Sequence, residues 1–151
     1  MIKKKWFYII LFACVTILDR VTKYLALTYC DQSPKTDSFL SWYLSFNRGI
    51  SCGMFHSDNE WQFFIVSIII MGITLALASY MIIRYINHQL VLGEVLVLAG
   101  SFSNLLDRFL YGGVVDFILL SYNGWSFPVF NCADVCIILG VGLMLFEHYG
   151  E

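Results

Sequence analysis

The sequence predicts an all-α membrane protein, a four-transmembrane-helix bundle carrying a small extracytoplasmic β-sheet and loop region. Three observations predict it. The 151 residues are 59% hydrophobic and only 13% charged, with a mean hydropathy of +0.73, whereas about a quarter of the residues in soluble domains are charged. Four stretches are long and apolar enough to cross a bilayer, a task that takes roughly 17–25 mostly apolar residues. The few ionisable residues within those stretches gather near one end of them.

In chain order the expected spans are residues 6–28, 63–83, 90–107 and 129–147. The second is the plainest, with no charge at all. The first contains Asp19, Arg20 and Lys23 and follows Lys3 to Lys5. Basic residues before an apolar run also suit a signal peptide, but this core is too long and lacks a small-residue cleavage site, so the span is read as retained. The third opens with Glu94, read as a simple interface residue, and the fourth carries Asn131 and Asp134 in its first turns.

Basic residues in short loops orient such a chain. Lys3 to Lys5 and Arg84 lie on one side, while the loop 29–62 has only Lys35 and Arg48 among four acidic residues. Both termini are therefore expected in the cytoplasm, with the loops 29–62 and 109–127 outside. Within the outer loops, "FLSWYLSF" (39–46) and the β-branched run after Gly112 and Gly113 predict two short strands, and "DNEWQFF" reads as a helix start. No repeat or flexible linker divides the chain, so residues 1–151 form a single membrane domain.

Several function classes drop out. A net charge of −2 with one small lysine cluster gives no footprint for nucleic acid. His56, His88 and His148 lie on different sides or far from the polar residues, which leaves a serine triad without a base. The five cysteines, at 14, 30, 52, 132 and 136, form no C-x-x-C pair; Cys132 and Cys136 read as buried hydrophobes and not as metal ligands. Cys30 and Cys52 are both placed outside and free to pair.

At 1.5 Å of rise per residue, Asp19 lies roughly 20 Å up from Trp6, with Lys23 one turn above. Asn104, Asp107 and Arg108 close the third span, Asn131 and Asp134 open the fourth, and Asp116 stands in the loop between. All collect at one depth near the outer face. Ionisable groups there are costly and mark function. Each also has a bland reading: an ion pair for Asp19 and Lys23, a snorkelling Arg108, an N-cap Asn131, a solvated Asp116. Two adjacent carboxylates holding one proton can activate water and protonate a carbonyl, the chemistry of peptide hydrolysis without a covalent intermediate. Periodicity leaves Asp107, Asp116 and Asp134 all open as members of such a pair. An ion path through Asp19, Lys23 and Asp134 is the rival, weakened by an inner half with little polar beyond Glu94.

The segments "ILDRVTKYLA" (17–26), "SFNRGISCGMF" (45–55), "SNLLDRFLYGGVVDFI" (103–118) and "FNCADVCII" (130–138) resemble the lipoprotein signal peptidases, or signal peptidases II, over nearly the whole chain. The resemblance implies an aspartic endopeptidase of the bacterial cytoplasmic membrane. Such an enzyme cleaves a prolipoprotein just before a cysteine that carries diacylglycerol, as a monomer among membrane lipids, with no cofactor or metal. It implies Asp116 and Asp134 as the catalytic pair and Asp19, Lys23, Asn47, Asn104, Arg108 and Asn131 as supporting or substrate-binding residues. Three departures stand out: Arg20 replaces a usual glutamine, Ser51 and Cys52 follow "FNRGI", and Ser103 replaces a glycine before Asn104.

Overall fold

The computed structural model describes residues 2–33, 38–49 and 59–150. Four helices carry most of it: α1 (Ile2–Tyr29), α2 (Glu60–Ile86), α3 (Leu92–Tyr111) and α4 (Cys132–Gly150). Three strands, β1 (Leu40–Asn47), β2 (Val114–Tyr122) and β3 (Trp125–Ser126), form an antiparallel sheet in the order β1-β2-β3. The expected helices and the two expected strands are present. Among the described residues, α2 alone is both long and uncharged enough to qualify by itself as a membrane span. Helices α1 and α3 mix apolar faces with the charges that build the site.

Local chemistry sets the boundaries. Asn59 caps α2 by accepting from the Trp61 amide at 2.9 Å, as side-chain oxygens do at N-caps. Gly112, at φ 68°, ends α3 in the left-handed conformation that favours glycine at this position. The β2–β3 hairpin turns on Asn123 (φ 49°) and Gly124 (φ 78°). An Asn-Gly pair suits such a two-residue turn because both residues need positive φ. This third strand was not expected, although "YNGW" announces it.

The sheet sits where α1 and α3 end and α4 begins. Asp116 pairs with Ser45 and Val114 with Asn47 across β1 and β2. The chain before α4 is tied to the same strand, with the Phe130 amide donating to the Ile118 carbonyl at 3.1 Å and the Ile118 amide donating back at 2.9 Å. Asp116 therefore lies in a paired, buried strand and is not the solvated loop acid that its sequence position allowed.

Glu94 corrects the sequence reading at the opposite end. It is fully buried and accepts from Arg84 at 2.7 Å, while Arg84 also reaches Glu147 at 3.3 Å. These contacts clip the ends of α2, α3 and α4 together. Arg84, so engaged, is not the loop charge that the orientation argument counted.

Helices α3 and α4 touch backbone to backbone through small residues, a common solution where lipid gives no drive for helix association. A Cβ on Gly140 would lie 2.6 Å from the Gly93 carbonyl, and one on Gly100 would lie 2.6 Å from that of Ala133. Around Gly72 and Gly142 the space is open. Alanine in a helix is otherwise favoured over glycine by about 1 kcal/mol. Gly100→Ala and Gly140→Ala should lower the unfolding temperature of the detergent-purified protein by several degrees, while Gly72→Ala and Gly142→Ala leave it unchanged or raise it. Four equal responses would contradict this packing.

Candidate active site

The site rests on a buried, charge-neutral foundation. Lys23 directs its three N–H groups to three acceptors: Asp19 at 2.8 Å, Asp107 at 2.7 Å and Asn104 at 2.6 Å. Arg20 forms a second ion pair with Asp107, whose other oxygen also accepts from the Val115 amide of β2 at 3.1 Å. Asp19 accepts from Ser103 at 2.6 Å and from the Ala133 amide in the first turn of α4 at 2.8 Å. Two carboxylates face two cations, and each carboxylate also anchors a backbone amide of a neighbouring element. Asp19 and Lys23 do form the ion pair that their spacing allowed, but as part of this larger assembly.

Above the foundation lie two further carboxylates held differently. Asp134 and Asn131 form a capping box at the start of α4. The Asp134 amide donates to Asn131 Oδ1 at 2.9 Å, and the Asn131 amide donates back to the Asp134 carboxylate at 3.2 Å. Such reciprocal bonds satisfy two otherwise unpaired helix-end donors. Asn131 is thus the N-cap its bland reading proposed, and more. Its side-chain amide donates to Asp116 at 2.6 Å, so one residue holds both carboxylates. Asn104, fixed from below by Lys23, donates to Asp134 at 2.9 Å. Asn47 adds a side-chain hydrogen bond to Asp116 and accepts from the Gly49 amide at 2.9 Å.

Among the described residues, Asp116 and Asp134 are the acids of this layer without an ion-pair partner; neutral amides hold them. Asp116 is almost wholly buried. Burial, and then the neighbouring Asp134, push its carboxyl up from 3.8 to about 7, against the opposing pull of its hydrogen bonds from Asn47 and Asn131. Such a group carries a proton in the weakly acid range, as expected where desolvation and a like charge act together. Asp134 and Asn104 are only half-buried, so the layer opens toward the surface here.

Arg108 is buried rather than snorkelling. It donates to the carbonyls of Gly49 and Arg48 and lies 5.7 Å from the Phe63 ring centre. It therefore braces the chain after β1, which Arg48 also ties to Glu60 at 2.6 Å. Every expected site residue lies in this one region: Asp19, Lys23, Asn47, Asn104, Arg108, Asp116, Asn131 and Asp134. Sequence reasoning missed Arg20 and Ser103 as partners of the foundation. Arg20 had a signal in its adjacency to Asp19; Ser103 had none. Ser51, Cys52 and His56 lie outside the described residues, so pairing of Cys30 with Cys52 does as well. His88 sits at the turn after α2, far from the carboxylates.

The family model for Signal peptidase (SPase) II matches residues 11–149. The chain belongs to the signal peptidase II family. It is accordingly a protease. Similar proteins include a lipoprotein signal peptidase of Chromobacterium violaceum, 30% identical over 145 residues that span 93% of this chain and 88% of that one. Another, of Burkholderia vietnamiensis, is 34% identical over 138 residues, spanning 89% and 82%. Two solved bacterial membrane enzymes superpose with TM-scores of 0.74 and 0.70 at 28% and 32% identity. The first match covers 95% of this chain and 87% of the other, the second 92% and 90%. The likeness extends over the helices and the sheet together, and these neighbours mark the chain as a bacterial membrane protein.

Removing one member of a buried ion pair costs about 3–5 kcal/mol, because the other charge is left uncompensated. Lys23→Met should therefore destabilise the protein severely, and adding Asp19→Asn should recover part of the loss. Thermal unfolding of the two single variants and the double variant measures this coupling. Strictly additive effects would mean that the foundation is not one electrostatic unit.

Proposed function

We propose that this signal peptidase II is an aspartic endopeptidase that removes the signal peptide from diacylglyceryl-modified prolipoproteins, cutting immediately before the lipidated cysteine. Asp116 and Asp134 are the catalytic pair. One observation carries the reading: of the four acids in the layer, these two form no ion pair among the described residues and share Asn131.

The chemistry follows from one proton held by two carboxyls. The ionised member takes a proton from water, and the water oxygen attacks the scissile carbonyl carbon. The protonated member gives its proton to the carbonyl oxygen, so a neutral tetrahedral diol forms. Returning a proton to the amide nitrogen breaks the C–N bond, releasing the signal peptide's new carboxyl end and the cysteine's amine. Asn131, Asn104 and Asn47 orient the carboxyls, Lys23 holds Asn104, and Asp19 holds the first turn of α4. Arg108 positions the chain after β1 that borders the site.

We place all four helices across the bacterial cytoplasmic membrane, with the amino-terminal lysines and the carboxy-terminal end of α4 in the cytoplasm and the aspartates near the outer face. The enzyme acts as a monomer. Charged side chains of α1 and α3 turn inward to one another, which lets helices that are not uniformly apolar cross lipid. Two apolar grooves flank the layer and suit a lipidated, apolar substrate arriving from the side. One, of about 340 Å³, is lined by Leu25, Tyr29, Trp42 and Phe117; the other, of about 240 Å³, lies between α2 and α3 beside Leu75, Phe102 and Phe109.

Asp116→Asn and Asp134→Asn should each abolish cleavage of a diacylglyceryl-modified prolipoprotein, read as a mass shift, without unfolding the protein. Asp107→Asn should keep measurable turnover if it folds; complete loss in a folded Asp107 variant would mean that the pair is wrongly chosen. Cleavage should fall as the pH rises through about 7, where Asp116 gives up its proton. Asn47→Ala removes a bond that favours the ionised form, so it should move this descending limb to higher pH. The same shift makes folding stability decline between pH 3.8 and about 7, because ionisation is disfavoured in the folded state. A profile flat across neutrality would contradict the shared proton.

A further inference from the structure

The end of the bundle remote from the aspartates carries a second pair of linked cavities. Helices α1 and α2 both pack on α3. Between them lies an open groove of about 310 Å³ with Val95 and Leu98 of α3 at its floor and Phe12 and Met81 on its walls, at the lower end of the roughly 300–1,000 Å³ of ligand sites. Its mouth is formed by Lys5 with Tyr8 and Tyr85, whose rings meet edge to face at 6.2 Å. The same two tyrosines border a smaller, polar cavity of about 120 Å³ lined also by Lys4, His88 and Gln89. Among the described residues, no acidic side chain lines either space. Lys4 and Lys5 are exposed and make no ion pair among the described residues. His88 adopts a left-handed backbone, φ 63°, at the turn that brings it to this mouth.

We infer that the two cavities form one binding site for an anionic phospholipid of the leaflet at this end, with an acyl chain in the groove and the phosphate among Lys4, Lys5 and His88. An apolar slot that opens at a cluster of ammonium groups and tyrosine hydroxyls matches a lipid of that sign, since basic pockets between membrane helices attract anionic head groups. A signal peptide, the other elongated apolar occupant, begins with a basic region that these lysines repel. Fifteen residues of α1 separate Tyr8 from Lys23, or roughly 22 Å at 1.5 Å each, so the site is distinct from the aspartate layer. A lipid seated here bridges α1 and α2 across the gap between them. The inference rests on the proposed topology only for which leaflet supplies the lipid.

Native mass spectrometry of the purified protein, given equal amounts of phosphatidylglycerol and phosphatidylcholine with identical chains, tests the site. The wild type should retain phosphatidylglycerol with a preference of roughly tenfold or more. A Lys4→Gln, Lys5→Gln, His88→Gln variant should lose that preference while cleaving prolipoprotein in uncharged detergent at the wild-type rate. Ile9→Trp, which fills the groove and leaves the cations in place, should lower retention of the lipid, and soluble glycerol phosphate should not compete. Equal retention of the two lipids, a preference that survives the triple substitution, or competition by glycerol phosphate alone would overturn the inference. Loss of catalysis in an aspartate variant that still retains the lipid would leave it standing.

Discussion

The structure depends on the requirement that charges taken out of water meet charges of opposite sign. Lys23 meets it by spending every N–H on Asp19, Asp107 and Asn104, and Arg20 balances the second carboxylate. Ionisable groups at this depth are tolerated only when they face one another or a polar cavity. The four charges cancel, and the two carboxylates also accept from the backbone of β2 and the first turn of α4. A stabilising cluster thereby becomes a positioning device. The elements bearing Asp116 and Asp134 are fastened to the same ionic block.

What stands above that block differs in kind. Asp116 and Asp134 accept hydrogen bonds from amides and form no ion pair among the described residues; Lys23, the nearby cation, is spent on the acids below. The contrast between the two lower acids, used up in ion pairs, and the two upper ones, left able to share a proton, is the physical core of the proposed mechanism. Precision comes from short chain links. Phe130 pairs with Ile118, two residues beyond Asp116, and Asn131 follows at once as the cap of α4. An error of one residue in that register would turn Asp116 to the opposite face of the strand.

Much of this was legible in the sequence, and the gaps have physical causes. The long apolar runs gave the helices, and β-branched residues after paired glycines gave β2. Depth counting brought the polar residues into one layer, because rise per residue is nearly constant in a helix. It could not separate Asp107 from Asp116 and Asp134, since the distinction lies in which cation each meets. Those partners, Arg20 and Lys23, stand more than eighty residues away in the chain; the family resemblance made the choice instead. Glu94 was misread for the same reason, because position near a helix end says nothing of a buried arginine across the turn. Ser103 carried no pattern at all.

The most direct measurement is an infrared titration of the folded protein that follows the carbonyl band of protonated carboxylic acid. The account predicts one carboxyl proton lost with a midpoint near 7, its absence from the titration when position 116 carries asparagine, and a lower midpoint when position 134 does. Two carboxyls that ionise independently in the ordinary acid range, about 4, would contradict the shared proton and with it the catalytic pair.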